Sequence, residues 1–214
     1  MKSVLERLAG EKGYWWYGFC TFLSITFFVL FYRLRTFDRE KVPLRGAVMI
    51  ASNHQSFFDP VVLSLGLSRQ TVIMAREGLF RIPVLNALIR SLNAFPIRRG
   101  EFDREAIRTA LDVLRRGEVL LLFPEGTRTR DGRLGRAKAG IGFLARKAGV
   151  PVVPAVIHGA WRAWPAGRAW FRLFVPIRVA YGEPLDPEAY GKAGLEAEID
   201  RSWAGLMERL ERMA

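Results

Sequence analysis

Residues 47–60 read Ala-Val-Met-Ile-Ala-Ser-Asn-His-Gln-Ser-Phe-Phe-Asp-Pro, an apolar run followed by a polar turn and a proline. The apolar part, residues 47–51, is typical of a buried strand, and Pro60 is suited to the first turn of a helix. A strand that leads through a loop into a helix is the repeating unit of α/β folds. This stretch therefore predicts a sheet with helices packed against it.

The polar turn contains a histidine and an aspartate five residues apart, His54 and Asp59. On one continuous helix this offset is about 140° around the axis, so the two side chains would point apart. They can meet only if the chain turns between them, and Pro60 favours such a turn because it restricts Asp59 away from helical geometry. An imidazole held by a carboxylate can act as a general base.

The same two residues also have a structural interpretation. An aspartate before a proline is a good helix N-cap, and a histidine can simply end a strand. The pair alone does not decide between capping and catalysis, so the other segments of the chain matter.

Further apolar runs alternate with amphipathic ones, which predicts one α/β domain with a single mixed sheet and helices on both faces. Asp103 is expected to cap a helix that ends before Gly117. The predicted strands are 47–51, 71–75, 94–97, 119–123, 152–157 and 171–180, the last near a sheet edge; the predicted helices are 60–67, 83–92, 103–116, 138–148 and 194–213.

The 20 residues 13–32 carry no charge and have aromatic residues near both ends. As a helix they would be about 30 Å long, which matches the hydrocarbon core of a bilayer. We therefore assign residues 1–35 to membrane-anchoring helices, with a short amphipathic helix at 3–12, and residues 36–214 to a catalytic domain. A cleaved signal peptide and a soluble core helix are the alternatives, and the sequence does not decide whether the segment spans the bilayer or lies in one leaflet.

Basic charge follows the apolar segment at once and predicts that the domain behind it faces the cytoplasm. The whole chain carries 33 basic and 21 acidic residues, a net charge of +12, so an anionic partner is expected. The basic residues lack the aromatic interleaving of a nucleic-acid platform, which places the phospholipid bilayer or a phosphorylated substrate ahead of nucleic acid. The single cysteine, Cys20, excludes an intrachain disulfide.

Two more segments carry candidate anion-binding residues. Phe95-Pro96-Ile97-Arg98-Arg99-Gly100 places two arginines in a turn, and Phe123-Pro124-Glu125-Gly126-Thr127-Arg128 follows the most apolar strand. Gly126 permits close approach of the backbone to a ligand, Thr127 and Arg128 offer a hydroxyl and a guanidinium, and Glu125 could orient arginines or contact a substrate hydroxyl. Both segments can also be ordinary solvated turns.

Other catalytic signatures are missing from the sequence. It contains no nucleophile elbow, no Walker loop and no cluster of metal ligands, so neither a metal nor a cofactor is expected. Gly140-Ile141-Gly142 resembles a dinucleotide fingerprint but follows a basic loop instead of a strand. We interpret the second histidine, His158, as structural.

Four segments in order resemble the four motifs of the glycerolipid acyltransferases, and most resemble bacterial 1-acylglycerol-3-phosphate acyltransferases. They are 53–60, 95–99, 123–128 and 150–154, and Lys138-Ala139-Gly140 is similar to a further element of that family. The family pattern often has an acid before the arginine of the second motif. Arg98 stands at that place here, so Arg99 is the better match to the family arginine.

The resemblance implies a mechanism in which His54 takes the proton from the sn-2 hydroxyl of lysophosphatidic acid and Asp59 holds the imidazole. The alkoxide would attack the thioester of acyl-CoA or acyl-carrier protein, which serve as donor substrates. Arg99, Arg128 and Lys138 would neutralise the substrate phosphate, and Glu125, Gly126 and Thr127 would complete the acceptor site. Acylation of a lyso-ornithine lipid or another lysophospholipid and a non-enzymatic lipid-binding adaptor stay open as alternatives, as does the oligomeric state.

Overall fold

The computed structural model describes residues 11–98, 103–190 and 194–213, with the backbone alone for 11–14. The helices are α1 (Glu11–Tyr32), α2 (Asp59–Leu65), α3 (Pro83–Ser91), α4 (Arg104–Arg115), α5 (Gly140–Ala148), α6 (Ala160–Ala163) and α7 (Gly194–Arg212). The strands are β1 (Arg35–Phe37), β2 (Val48–Ser52), β3 (Thr71–Arg76), β4 (Ala94–Ile97), β5 (Val119–Leu122), β6 (Val152–His158) and β7 (Arg178–Tyr181). Short 3-10 turns occupy Arg39–Lys41 and Glu77–Arg81.

The seven strands form one mixed sheet in the order β1-β7-β6-β2-β5-β3-β4. Strands β6, β2, β5, β3 and β4 are parallel, whereas β7 pairs antiparallel with β6 and parallel with β1. The central strand β2 is buried along its whole length, which explains its continuous apolar sequence. The carboxyl ends of the parallel strands consequently meet at one edge of the sheet, where α/β proteins bind ligands.

Helices cover both faces of the sheet. On one face α4, α5 and α7 bury an apolar cluster, and the Trp203 indole of α7 donates a hydrogen bond of 3.0 Å to the carbonyl of Ala51. On the other face α2, α6 and the last turn of α1 bury a second cluster. The predicted α/β architecture with helices on both faces is therefore confirmed.

Helix α1 contains the apolar window Trp15–Tyr32, of mean hydropathy 1.4, and is long enough to cross a membrane by length and composition. Most of its side chains face outward, but Phe28 and Tyr32 are buried against Phe58 of the domain. Near its other end the Trp16 indole donates to Ser91 Oγ at 3.0 Å. Both ends of this candidate anchor thus contact the domain.

The predicted elements lie within a few residues of the observed ones, with one substantial exception. The strand expected at 171–180 is wrong over most of its length, because only Arg178–Tyr181 pairs in the sheet and 166–174 is an exposed irregular segment. Strand β1 and the short helix α6 were not predicted. The amphipathic helix proposed for 3–12 falls mainly outside the described residues.

Candidate active site

Two neighbouring parallel strands bring the main motifs together. Strands β2 and β5 pair in register, with Ala51 opposite Leu122, so the segments that follow them leave the sheet side by side. His54 and Asp59 lie in the loop after β2, and Glu125 lies in the turn after β5. Sheet topology therefore explains why residues 71 positions apart in sequence meet.

The His54 and Asp59 side chains are in direct contact, as their spacing predicted. His54 Nδ1 lies 2.8 Å from Asp59 Oδ2, and the aspartate is fully buried. The same oxygen accepts hydrogen bonds from the backbone N–H groups of Gln55 at 2.5 Å and Ser56 at 2.6 Å. Three donors converge on one carboxylate oxygen, which fixes the turn between the two residues and orients the imidazole.

The structure excludes the helix-capping role that was considered for Asp59. The helix N-cap is Phe58, and Asp59 is the first helical residue. Its carboxylate turns back into the loop towards His54 instead of bonding the first turn of α2. Ser56 Oγ supports the loop by accepting from the Phe58 N–H at 3.1 Å.

The histidine ring and its backbone are fixed from several sides. The imidazole stacks on the Phe123 ring, with ring centroids 4.1 Å apart and planes inclined by 17°. The His54 carbonyl accepts from the Thr129 N–H at 2.8 Å. Asn53 forms paired hydrogen bonds with the backbone of Ile157 in β6. Sequence reasoning missed Phe123 and Asn53 as site residues, although Asn53 is next to the histidine and Phe123 follows an apolar strand.

Glu125 is buried beside the loop that carries His54 and Asp59, with 7% of its surface exposed. Its Oε1 accepts from the His54 N–H at 3.0 Å, and its carboxylate is also bonded by the Gly135 N–H. Burial raises the pKa of the Glu125 carboxyl to about 7, the two backbone bonds oppose the rise, and the charges of Asp59 and Asp200 add to it. Glu125 thus ties the histidine to the loop that follows β5.

Replacement of Glu125 by glutamine is expected to change how stability depends on pH. Because the folded pKa lies above the ordinary 4.5, the wild-type carboxyl stabilises the fold when protonated and loses this contribution as pH rises towards about 7. Between pH 4.5 and about pH 7, the free energy of unfolding of the wild type should therefore fall relative to that of Glu125→Gln. Above about pH 7 the difference between the two proteins should stay constant. Thermal unfolding of both proteins in detergent across this pH range measures the difference in stability. A difference that does not change with pH would contradict the raised pKa of Glu125.

Arg128 shares a cavity of about 140 Å³ with His54. Its guanidinium carbon lies 3.6 Å from the centroid of the Phe57 ring, a cation–π contact that positions the group. The cavity is also lined by Arg76, Met74 and Phe123. A cation and the histidine thus face the same small space, as the two motifs predicted.

A larger and mainly apolar cavity of about 490 Å³ adjoins it and shares Met74 and Phe123 as walls. Lys138 and Asp103 are its charged lining residues; the remainder of the lining comprises Ile97, Ile107, Leu122, Pro124, Ala139, Gly140, Ile141, Phe143 and Leu144. The size lies within the usual range of ligand pockets, about 300–1,000 Å³. Residues 150–154 line neither of these two cavities, and Val150 and Val152 belong to the apolar core.

Gly126 and Lys138 are neighbours. Gly126 has a φ of +73°, and a Cβ at this position would lie 2.8 Å from Lys138 Nζ. The Lys138 N–H also donates to the carbonyl of Pro124 at 3.1 Å. The positive φ therefore favours a glycine at this position, and the flexible Lys138 side chain packs across it.

The structure gives less detail for the other residues that the sequence singled out. Thr127 is exposed at the turn, and Arg99 lies outside the described residues. Arg98 is paired with Asp103, which also caps α4 by accepting from Ala106.

His158 ends β6, where burial lowers its pKa and the charges of Arg162 and Arg178 lower it further. Within the described part of the chain, no group of three or more His, Cys, Asp or Glu side chains could hold a metal ion.

The part of the chain that contains this site matches a known protein family. A family model described as acyltransferase matches residues 33–158, a range that includes the His54–Asp59 loop, the turn after β5 and both cavities. The chain belongs to the acyltransferase family. The match covers more than half of the chain and includes every strand of the sheet except β7.

Solved and curated relatives of this acyltransferase-family chain carry one activity in their names. The crystal structure of the 1-acyl-sn-glycerophosphate acyltransferase PlsC from Thermotoga maritima is 31% identical, has a TM-score of 0.71, and is matched over 83% of this chain and 72% of that one. The 1-acyl-sn-glycerol-3-phosphate acyltransferase of Bacillus subtilis is 25% identical over 84% of this chain and 87% of its own. A chloroplast enzyme of the same name from Brassica napus is 31% identical over 72% of this chain, which spans only 46% of the plant protein.

Proposed function

We propose that this protein transfers a fatty acyl group from a thioester donor to the sn-2 hydroxyl of 1-acyl-glycerol-3-phosphate, giving phosphatidic acid. The observation that carries the proposal is the His54–Asp59 pair, whose histidine lines a cavity that is also lined by Arg128. A base, a cation for the phosphate and an adjoining apolar cavity are what this reaction needs. The names of the relatives support the choice of acceptor.

The geometry of the pair supports different roles for the two imidazole nitrogens. The Asp59 carboxylate is hydrogen-bonded to Nδ1 of His54, so Nε2 is the nitrogen that would take the proton of the acceptor hydroxyl. The resulting alkoxide attacks the carbonyl carbon of the thioester, and the tetrahedral intermediate collapses with cleavage of the C–S bond. The leaving thiolate takes the proton back from His54. The buried carboxylate stabilises the imidazolium while it exists, as in other base–carboxylate pairs.

The two cavities divide the polar and apolar parts of the substrates between them. The cavity of about 490 Å³ has apolar walls over most of its surface and suits a hydrocarbon chain. Phe123 forms one wall and stacks on His54, so a chain in this cavity would end near the base. No acyl-enzyme is needed, because the acceptor oxygen is itself the nucleophile.

Arg128→Ala is expected to raise the apparent KM for a phosphorylated acceptor about tenfold to a hundredfold, the usual effect of losing a hydrogen bond to a charged group. An acceptor without phosphate should change little. Steady-state kinetics with both acceptors measure the effect, and Arg130→Ala, an exposed arginine of the same loop, is the matched control. A fall in kcat that is equal for the two acceptors would contradict a phosphate role.

The candidate anchor and the basic residues that follow it favour association with a lipid bilayer. Helix α1 exposes an apolar surface, and Arg33, Arg35, Arg39 and Lys41 follow it directly. Basic residues beside a membrane helix favour the cytoplasmic side. We therefore place the protein at the bacterial inner membrane with its sheet facing the cytoplasm, where acyl-CoA and acyl-carrier protein are available as donors.

The function is tested by acceptor-dependent release of thiol from the donor. Detergent-solubilised protein is given acyl-CoA or acyl-carrier protein, each with and without lysophosphatidic acid, and the lipid product is identified by mass spectrometry. Thiol release that needs the acceptor and yields phosphatidic acid supports the proposal. Faster acylation of a lyso-ornithine lipid or another lysophospholipid would reassign the acceptor, and failure with every donor and acceptor would favour a lipid-binding adaptor.

A further inference from the structure

The segment between β6 and β7 exposes an unusual concentration of aromatic surface. Trp170 is 83% exposed and Phe174 is 73% exposed, with Phe171 and Leu173 also at the surface between them. A soluble surface rarely collects large apolar side chains in one contiguous stretch unless it meets a partner or a membrane. The apolar density that suggested a strand in the sequence thus belongs to a surface loop, residues 170–174, which we call the aromatic loop.

The aromatic loop is bonded to the end of the candidate anchor. The Phe174 N–H donates to the carbonyl of Phe31 at 2.9 Å, and the Ile177 N–H donates to that of Tyr32 at 2.9 Å. The rings of Phe31 and Phe174 lie 5.9 Å apart. Phe174 has a φ of +61°, a conformation that is costly for an aromatic residue, so these contacts hold it in place. The loop therefore continues the apolar surface of α1.

The base of the same segment is bonded to the catalytic loop. Ser56 Oγ donates to the Trp164 carbonyl at 2.8 Å, and Ser56 pairs with Pro165 in an isolated bridge. The Phe171 ring packs against Phe58, with centroids 5.8 Å apart. The aromatic loop consequently joins the turn that carries His54 and Asp59 to the anchor helix.

The charge around the aromatic loop has one sign. Residues 159–182 contain four arginines and no acidic residue, and Arg162, Arg168 and Arg172 are exposed. Arg33 and Arg35, at the end of the anchor, are exposed as well. Arginines near a bilayer attract anionic headgroups, each contributing roughly a fivefold increase in partitioning.

We propose that the aromatic loop inserts into an anionic phospholipid bilayer beside α1, as a second membrane contact next to the active site. The bilayer is the occupant because the loop is continuous with the candidate anchor, begins with an exposed tryptophan, a residue enriched at membrane interfaces, and is surrounded by arginines. The proposal rests on the membrane-bound function above and deepens it. Insertion here would bring the lipid surface to the catalytic loop, so that a lysolipid reaches His54 without crossing water.

The test places a fluorescent label at single cysteines in the full chain, reconstituted in vesicles. In a Cys20→Ser background, Trp170→Cys reports on the aromatic loop, Phe22→Cys on the exposed face of α1, and Leu44→Cys on the 71% exposed turn at the opposite end of the sheet. Nitroxide groups on the acyl chains of phosphatidylcholine and phosphatidylglycerol quench labels that lie in the bilayer. We expect strong quenching at positions 170 and 22 and none at 44, with quenching at 170 reduced when phosphatidylglycerol is omitted.

The outcomes separate the loop from the anchor. Quenching at 22 without quenching at 170 would overturn the loop insertion and leave the membrane-bound function intact. No quenching at either position would overturn both. Disulfide crosslinking of the unlabelled Trp170→Cys protein between two copies, together with no lipid quenching of the labelled protein, would replace the bilayer by a second copy of the chain and also overturn the proposal.

Steady-state kinetics test the membrane contact of the aromatic loop independently. Trp170→Ala, and Phe174→Asn at a positive φ that asparagine tolerates, are expected to raise the apparent KM for a lysolipid presented in vesicles severalfold. Turnover of a short-chain acceptor dissolved in water should be unchanged. A loss that is equal for the two presentations would mean that the variants disturb the catalytic loop, which contradicts a role in membrane contact.

Discussion

His54→Ala is expected to lower kcat by about 10²–10⁴ in a protein that remains folded, the usual contribution of a positioned general base. The reason is that the His54 imidazole contacts a buried carboxylate, at 2.8 Å, and lies in the wall of the small cavity. The apparent KM for the acceptor should change little, because phosphate binding is assigned to other residues. Thiol release under saturating donor and acceptor gives kcat directly.

The chain contains one other histidine, which supplies the matched control for this variant. His158 lies at the end of β6, outside both cavities, and His158→Ala should retain most of the wild-type turnover. Thermal unfolding of the two variants checks that each is folded. If His54→Ala were to retain full turnover, the base assignment and the proposed mechanism would both be wrong.

Much of the fold was predictable because strand and helix signals agreed with one another. The five parallel strands are short, apolar runs bounded by polar turns, and their helices have clear caps such as Asp103 and Gly149. The prediction failed at 171–177, where aromatic and aliphatic residues suggested a strand. Local sequence cannot distinguish a residue buried in a sheet from one exposed at a lipid surface, since both environments favour apolar side chains.

The candidate site was predictable in its residue types and less so in its contacts. The spacing of His54 and Asp59 required a turn, and the turn is present. The link between Glu125 and the His54 backbone could not be read from sequence, because it depends on β2 and β5 being adjacent in the sheet. The stacking of Phe123 on the imidazole has the same origin. Motif residues were thus found from chemistry, and their supporting contacts only from topology.

Asp59→Asn is expected to lower kcat by about 10²–10⁴, close to the effect of removing the base itself. Asp59 Oδ2 accepts three hydrogen bonds, from His54 Nδ1–H and from the N–H groups of Gln55 and Ser56. An asparagine oxygen at the Oδ2 position can keep all three bonds, but it is a neutral acceptor. The carboxylate charge that would stabilise the imidazolium formed when His54 takes the proton is then lost.

A double variant separates this role from a structural one. If His54 and Asp59 act as a unit, His54→Ala with Asp59→Asn should be no slower than His54→Ala alone, because the carboxylate has no imidazole left to orient. Should the two losses multiply instead, Asp59 would act on the reaction independently of His54. Thermal unfolding of Asp59→Asn completes the test. Since the carboxylate is fully buried and organises the loop, a large fall in kcat with only a modest change in unfolding temperature identifies the lost carboxylate charge as the cause.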